Sequence, residues 1–354
     1  MNNNENRKDI LFVILLFVFI LLVVLFNFVV DPYYVFRDST IKGFNNVKTH
    51  KYSSKRTVLY SQMKMDSKNK DIAFTGNCLL SHYGFGLENV AFFTIPVARV
   101  TEVSEIIKNI PSINPNIKTI YWGVFMDDFL NLDSDEYSDY LPKLDTPRFT
   151  LQDFINLFFS WNTTKYSIET VIDSIKDKGQ DIVYIYPYRE IAKKEYNKEY
   201  STETVNHIQK TIDFAKQNDI ELIIYYSPIH VSKKIHIYTK GKWKLYQNIK
   251  RELVKITPLY DYSFFSEYND KPLDENSKYF IDNIHPTNIY NNIVVNDLLS
   301  EEKRLATILT MENIEQLLEE DTKKIEIFVK SKKRITEKLK NVKIDDFETK
   351  IKKE

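Results

Sequence analysis

Cysteine occurs once in this chain, at Cys78. An intrachain disulfide and a multi-cysteine metal site are therefore excluded. If the surrounding domain lies outside the cell, that thiol is free and chemically notable. Glycine is scarce too, with 7 residues beside abundant Asn, Lys, Ile and Tyr. Genome composition explains that bias as readily as chemistry does. An excess of charge is also missing, since Lys and Arg number 49 and so do Asp and Glu. Without a global basic field, binding of nucleic acid has no electrostatic support. No internal repeat is visible.

One long apolar run is present. Ile10 to Val30 reads ILFVILLFVFILLVVLFNFVV, with no charge and a single polar residue, Asn27, near its end. As a helix it is about 31 Å long, enough to cross the hydrocarbon core of a bilayer. A buried core helix of that length shows a polar stripe, which is absent here. A cleavable signal peptide is the rival reading, but its apolar region is usually shorter and ends in small residues. This run ends in Phe28-Val29-Val30-Asp31-Pro32, without an A-x-A-like site. The sequence thus predicts a short tail over 1–9 and an uncleaved single-pass anchor over 10–30, with the membrane bilayer as its partner. Charge does not orient it. Arg7 and Lys8 are offset by Glu5 and Asp9, while Arg37, Lys42 and Lys48 lie on the other side, so the positive-inside rule leaves both orientations open.

Behind the anchor, residues 31–69 read as a polar, basic membrane-proximal segment. Strand-like and helix-like stretches then alternate. Strands are expected at 71–75, 89–95, 117–125, 220–226 and 259–262. Helices are expected at 100–110, 151–159, 168–175, 202–217, 244–254 and 286–299, the last opened by Pro286 in its first turn. Asp181 to Tyr186 reads as a further strand or as the start of an insertion. This alternation predicts an α/β domain over 70–300, with a mostly parallel sheet and helices on both faces. Such sheets place their sites outside the carboxyl ends of the strands. From 301 to 354 charge is dense and Pro and Gly are absent. Ile314, Leu317, Leu318, Ile325, Phe328, Ile335, Leu339 and Val342 recur at helical spacing. The expectation is a charged helical tail, packed on the parent domain or holding a partner helix.

Two places could carry chemistry. Gly76-Asn77-Cys78 directly follows the first strand. A turn there presents the thiol at the sheet's carboxyl edge, and a following helix would aim its N-terminal amides at it, a setting that favours thiolate. The plain alternative is packing, since free cysteine is among the most often buried residues. The second place is Asp282-Asn283-Ile284-His285-Pro286. Positions three apart can share one face, so Asp282 can hold the His285 imidazole in one tautomer, the orienting role of the acid in a nucleophilic triad. The plain alternative is a helix start with a surface histidine. Asp127 and Asp128 read as a polar strand end with no identifiable partner. His82 lies four residues after Cys78 but has no carboxylate beside it, so it ranks below His285. His230 follows Ser227-Pro228 on the same expected edge. A metal site from Asp282, His285 and His230 matches no known ligand spacing.

Taken together, a nucleophile turn after the first strand and D-x-x-H before the last helix resemble the SGNH (GDSL-like) hydrolase superfamily. Val30-Asp31-Pro32-Tyr33-Tyr34-Val35-Phe36-Arg37, Gly43-Phe44-Asn45 with Lys48 and Arg56, and Tyr226-Ser227-Pro228-Ile229-His230 are similar to its membrane-anchored, envelope-modifying branch. That branch includes proteins of teichoic acid D-alanylation and of alginate and peptidoglycan O-acetylation. The likeness spans about Val30 to Leu299. It implies a three-layer α/β/α domain outside the cytoplasmic membrane, periplasmic or at the cell surface. It implies a catalytic triad of Cys78, His285 and Asp282, with Asn77 and Gly123 at the substrate and oxyanion positions, and no cofactor or metal. It further implies an acyltransferase or esterase acting on an envelope polysaccharide beside a multi-pass membrane acyltransferase. The alternative is an inactive scaffold of the same fold. The departures are specific: Gly-Asn-Cys replaces the usual serine block, Ile95-Pro96-Val97-Ala98 lacks the oxyanion glycine, and Gly123 is not followed by the family's Asn.

Overall fold

The computed structural model describes residues 3–33, 41–46, 63, 67–76, 87, 89–94, 98–129, 151–176, 202–270, 278–280, 282–303 and 305–331. The chain divides into two compact units, residues 1–68 with 139–184, and residues 69–138 with 185–354.

In the first unit, helix α1 (Asn3–Val30) carries the apolar run. Its stretch Lys8–Val30 is long and apolar enough to cross a membrane. Its side chains from Ile10 to Leu22 are exposed, whereas Val24, Asn27 and Val30 are buried. Helices α3 (Leu151–Phe158) and α4 (Trp161–Ile175) cover that end. Val24 and Tyr33 pack with Leu157 and Phe158. The Phe28 ring lies 5.9 Å from that of Phe158 and 6.1 Å from that of Phe154. The Asn27 amide donates to the Phe158 carbonyl at 2.8 Å and to the Thr164 hydroxyl at 3.0 Å. A polar group withdrawn from water in an otherwise apolar helix needs such partners. Residues 151–175, placed by sequence within the α/β domain, thus group with helix α1.

The second unit is built on a six-stranded sheet: β1 (Ile72–Gly76), β2 (Val90–Thr94), β3 (Thr119–Val124), β4 (Glu221–Tyr226), β5 (Leu259–Asp261) and β6 (Thr307–Leu309), in the order β2-β1-β3-β4-β5-β6. The first five run parallel and β6 pairs antiparallel with β5. The α/β class with a mostly parallel sheet is therefore the one expected. Strand order reverses between β1 and β3. In doubly wound sheets, ligands bind outside the carboxyl ends of the strands at such a reversal.

Helices α2 (Val100–Ile113) and α5 (Thr202–Gln217) pack on each other and on β1 and β4. They are joined by a 2.6 Å hydrogen bond between the Ser104 and Thr211 hydroxyls. Helix α8 (Asn288–Leu299) covers the strand residues Phe74, Tyr121 and Tyr225 with Tyr290, Val294, Val295 and Leu298. Residues of the opposite alternation, Ala73, Ile120 and Ile224, are buried as well. A sheet buried on both faces reads as continuous apolar strands rather than as alternation, which is why these strands stand out in the sequence. Full burial of Val294 or Leu298 contributes about 1.5–3 kcal/mol each. Helix α8 does not start at Pro286, as the proline rule suggested. Thr287 caps it, its hydroxyl accepting from the Tyr290 amide at 3.4 Å, and Pro286 instead bridges Phe280. A hydroxyl N-cap satisfies a helix amide that proline only tolerates.

Residues 305–331 are built into the same unit. Strand β6 closes the sheet edge, and α9 (Ile314–Ser331) lies on α6 (Val231–Thr239) and α7 (Trp243–Val254). Ile314, Leu318 and Ile325 are its buried stripe. Beneath it Lys234 meets Asp321 at 2.6 Å, and Lys250 meets Asp261 at 2.7 Å. The Lys250 ammonium also donates to the Tyr246 and Ser263 hydroxyls, and the Ser263 amide and hydroxyl both bond the Asp261 carboxylate. The Lys234 ammonium sits 4.3 Å from the Phe265 ring centroid, and that of Lys250 sits 4.1 Å from the Tyr246 centroid. Burial lowers the Lys234 pKa to about 8 against the opposing pull of Asp321. The tail positions Ile335, Leu339 and Val342, and the strand candidate at 181–186, lie outside the described residues.

Removing one member of a buried ion pair strands the other, at a cost of about 3–5 kcal/mol, whereas replacing both is often neutral. Lys234→Met should therefore depress the melting temperature of the detergent-solubilised chain strongly. Adding Asp321→Leu should recover most of the loss. Equal and additive losses in a double-mutant cycle would refute the pair as a coupled element.

Candidate active site

The turn before α8 is shaped by its own aspartate. Asp282 Oδ1 accepts the backbone amides of Ile284 and His285, each at 2.7 Å. A short carboxylate that bonds the amides two and three residues on folds the chain back over itself. The fold-back brings Asp282 Oδ2 to 2.7 Å from His285 Nδ1. Burial pushes the Asp282 carboxyl up. The hydrogen bond and charge of His285, with the two amides, outweigh it and hold the group below its ordinary value. The carboxylate is thus an acceptor, so the ring proton resides on Nδ1 and Nε2 is the basic nitrogen of the neutral imidazole. The side chains of Asp282 and His285 are 19% and 18% exposed, sheltered yet reachable.

Backbone contacts fix this turn to the sheet. The chain leaving β4 as Ser227-Pro228-Ile229-His230 is held to β3 by the Ser227 amide on the Val124 carbonyl at 2.9 Å. It is held to the dyad by the His230 amide on the Asn283 carbonyl at 3.3 Å. The dyad therefore stands at the carboxyl edge of the parallel strands. His230 itself is structural. Its Nδ1 accepts the Ser232 amide at 3.2 Å as the cap of α6, and its ring packs edge-on against Phe280 at 5.4 Å. The Ser227 hydroxyl is buried and has no hydrogen-bond partner among the described residues.

At the strand-order reversal, Gly76 is in register with Gly123 on one side and with Thr94 on the other. Gly76 takes φ 153°, a conformation that glycine adopts more readily than residues with a Cβ. Asn77, Cys78 and His82 follow it outside the described residues, as do 95–97. The structure thus joins Asp282 to His285 and Gly76 to Gly123, and by chain position Cys78 stands two residues beyond the end of β1.

Asp127 and Asp128 have partners the sequence hid. Asp128 Oδ2 accepts the Phe125 amide at 2.8 Å and shapes the turn after β3. Asp127 Oδ2 lies 3.6 Å from the buried Lys233 ammonium. Burial raises the Asp127 pKa, and Lys233 opposes that shift. Asn269 was also missed. Its amide nitrogen holds the Tyr262 and Phe264 carbonyls, and its oxygen accepts from Tyr290, bracing the loop after β5 against α8. A lone asparagine amid polar residues gives no sequence signal of that role. Among the described residues no group of three or more His, Cys, Asp or Glu is placed to hold a metal.

No family model matches the chain, and no curated protein or solved structure does either. The reading of the site therefore rests on its geometry.

The Asp282 shift has a defined consequence. A carboxyl held below its ordinary pKa contributes stability that is present above the unfolded value of 3.8 and is lost as pH falls through the lower, folded value. In a carboxyl-carbon NMR titration, Asp282 should titrate below 3.8 in the native chain. It should move upward in His285→Ala, because burial then acts with less opposition. An unchanged midpoint in that variant would remove the dyad from the account.

Proposed function

We propose that this chain is a membrane-anchored acyl-transfer enzyme, an O-acyltransferase or esterase with an SGNH-like three-layer domain, acting outside the cytoplasmic membrane on a cell-envelope polysaccharide. The observation that carries the reading is the Asp282–His285 dyad, a carboxylate on Nδ1 at 2.7 Å, standing at the carboxyl edge of a parallel sheet. The 2-1-3-4-5 strand order adds support, because its reversal lies at the Gly76–Gly123 pair and Cys78 comes two residues after Gly76 in the chain.

In this reading Cys78 Sγ attacks an acyl carbonyl while His285 Nε2 takes the thiol proton. Asp282 stabilises the resulting imidazolium. The tetrahedral oxyanion is bonded from the Asn77 and Gly123 region, where one donor is worth on the order of 100- to 1000-fold in rate. The carbon–oxygen bond to the leaving alcohol breaks, His285 returns the proton to it, and a thioester remains on Cys78. His285 then takes a proton from an acceptor hydroxyl or water. That oxygen attacks the thioester, the carbon–sulfur bond breaks, and the thiol is re-formed. No cofactor or metal enters. A multi-pass membrane acyltransferase would supply the acyl group, and the apolar helix α1 would hold the domain beside it.

The second reading, an inactive scaffold of the same architecture, is favoured by the absence of glycine across Ile95-Pro96-Val97-Ala98.

Alkylation of Cys78 tells the two apart without a known substrate. An unperturbed thiol has a pKa of about 8.5, and a His-paired one lies lower. Iodoacetamide should label the chain rapidly near neutral pH, and His285→Ala should move the labelling profile upward by a unit or more. Turnover of p-nitrophenyl acetate should disappear in Cys78→Ala and fall by about 10²- to 10⁴-fold in His285→Ala. Labelling indifferent to His285 would favour the scaffold.

A further inference from the structure

Helix α4 has its polarity inverted relative to a helix packed in a water-soluble core. Its buried positions are Thr163, Ser167, Thr170 and Ser174, while Trp161, Ile168, Ile172 and Ile175 are exposed. The exposed four fall at intervals of seven, four and three, one continuous strip of a helix. In water this arrangement is unfavourable twice over, since it buries hydroxyls and leaves large apolar side chains wet. The hydroxyls of Ser167 and Thr170 are buried without a hydrogen-bond partner among the described residues. Helix α3 and its end add Leu151, Ile155 and Phe159 to the exposed apolar set, and Trp161 is 80% exposed.

Small hydroxyl residues inside and bulky apolar ones outside is the pattern of helices that pack together in lipid. The helix pair is fastened to α1, through the Asn27 bonds to Phe158 and Thr164 and the Phe28 and Val24 contacts. These contacts use the last turns of α1, where a membrane helix leaves the hydrocarbon. Both α1 and the helix pair thus leave large apolar side chains exposed within one unit. Beside the exposed strip on the helix surface run Asn162, Lys165, Glu169 and Lys176. That charged strip and a length of about 22 Å exclude a second crossing and fit a helix lying in the plane of the interface. Tryptophan is the residue most at home there.

From this we infer that α3 and α4 form a second membrane contact, lying at the headgroup and acyl-chain boundary with Leu151, Ile155, Phe159, Trp161, Ile168, Ile172 and Ile175 towards the lipid. The contact rests on α1 being a membrane helix, and it makes the anchoring unit a three-helix device rather than a single tether. The unit therefore has a preferred side as well as a depth in the bilayer.

The test uses the full chain in phosphatidylcholine–phosphatidylglycerol vesicles, with and without lipids brominated near the headgroup end of the acyl chain. Trp122 and Trp243 are 1% and 7% exposed, so Trp161 is the tryptophan positioned to report. Brominated lipid should quench part of the emission, and Trp161→Phe should abolish that quenching. Aqueous iodide should not reach the same component. Emission quenched by iodide and not by bromolipid would place the strip in water. Emission reached by neither would place it against protein, a second copy or a membrane partner. Either result overturns the inference. Retention of the chain in the vesicle pellet after alkaline carbonate washing reports α1 separately. A chain that pellets but shows no bromolipid quenching loses the second contact alone, whereas a chain that washes off loses the anchor reading itself.

Discussion

Two ammonium groups held away from water, Lys234 and Lys250, organise the carboxyl side of the sheet. Each is paired with a buried carboxylate, Asp321 and Asp261, and each is faced by aromatic rings that attract a cation. Isolated, any of these charges would be strongly unfavourable in that setting. Together they tie α6, α7, β5 and α9 to one arrangement. Helix α6 is capped by His230, whose backbone amide bonds the Asn283 carbonyl. The dyad turn therefore inherits its place from an ionic cluster that has no part in its chemistry. Lys233, the residue before Lys234, pairs instead with Asp127 after β3. Consecutive lysines thus fasten both sides of the edge.

Much of the fold was legible because the sheet is buried on both faces. Strands such as Ile120-Tyr121-Trp122 and Ile223-Ile224-Tyr225 are continuous apolar runs, and the parallel α/β class follows from their alternation with helices. What the sequence hid has three physical causes. Short elements carry little pattern: β6 and α6 escaped, the latter because buried Lys233 and Lys234 break its apolar period. Hydroxyl capping at Thr287 overrode the proline rule. Helices α3 and α4 look amphipathic in any environment, so periodicity could not reveal that they belong with α1 rather than with the sheet.

The candidate site was legible in part. Asp282 and His285 are three residues apart in a turn, a separation over which local geometry alone can form the pair, and Nδ1 meets the carboxylate as that spacing suggests. Asp127 shows the opposite case. Its partner Lys233 is remote in sequence and joins it only because β3 and β4 are neighbours. A pair of that kind is a property of topology. The register of Gly76 with Gly123 is of the same kind.

The amide of Asn27 finds the Phe158 carbonyl 131 residues further along the chain. During synthesis at 5–20 residues per second, α1 emerges roughly 7–26 s before that carbonyl exists. In the interval β1, β2 and β3 are made, and the first unit is complete only when the chain returns to it from beyond β3. For that period a polar side chain near the end of an apolar helix must be satisfied by water or lipid headgroups. Helix α1, made before the sheet, is thus among the later elements to reach its final contacts.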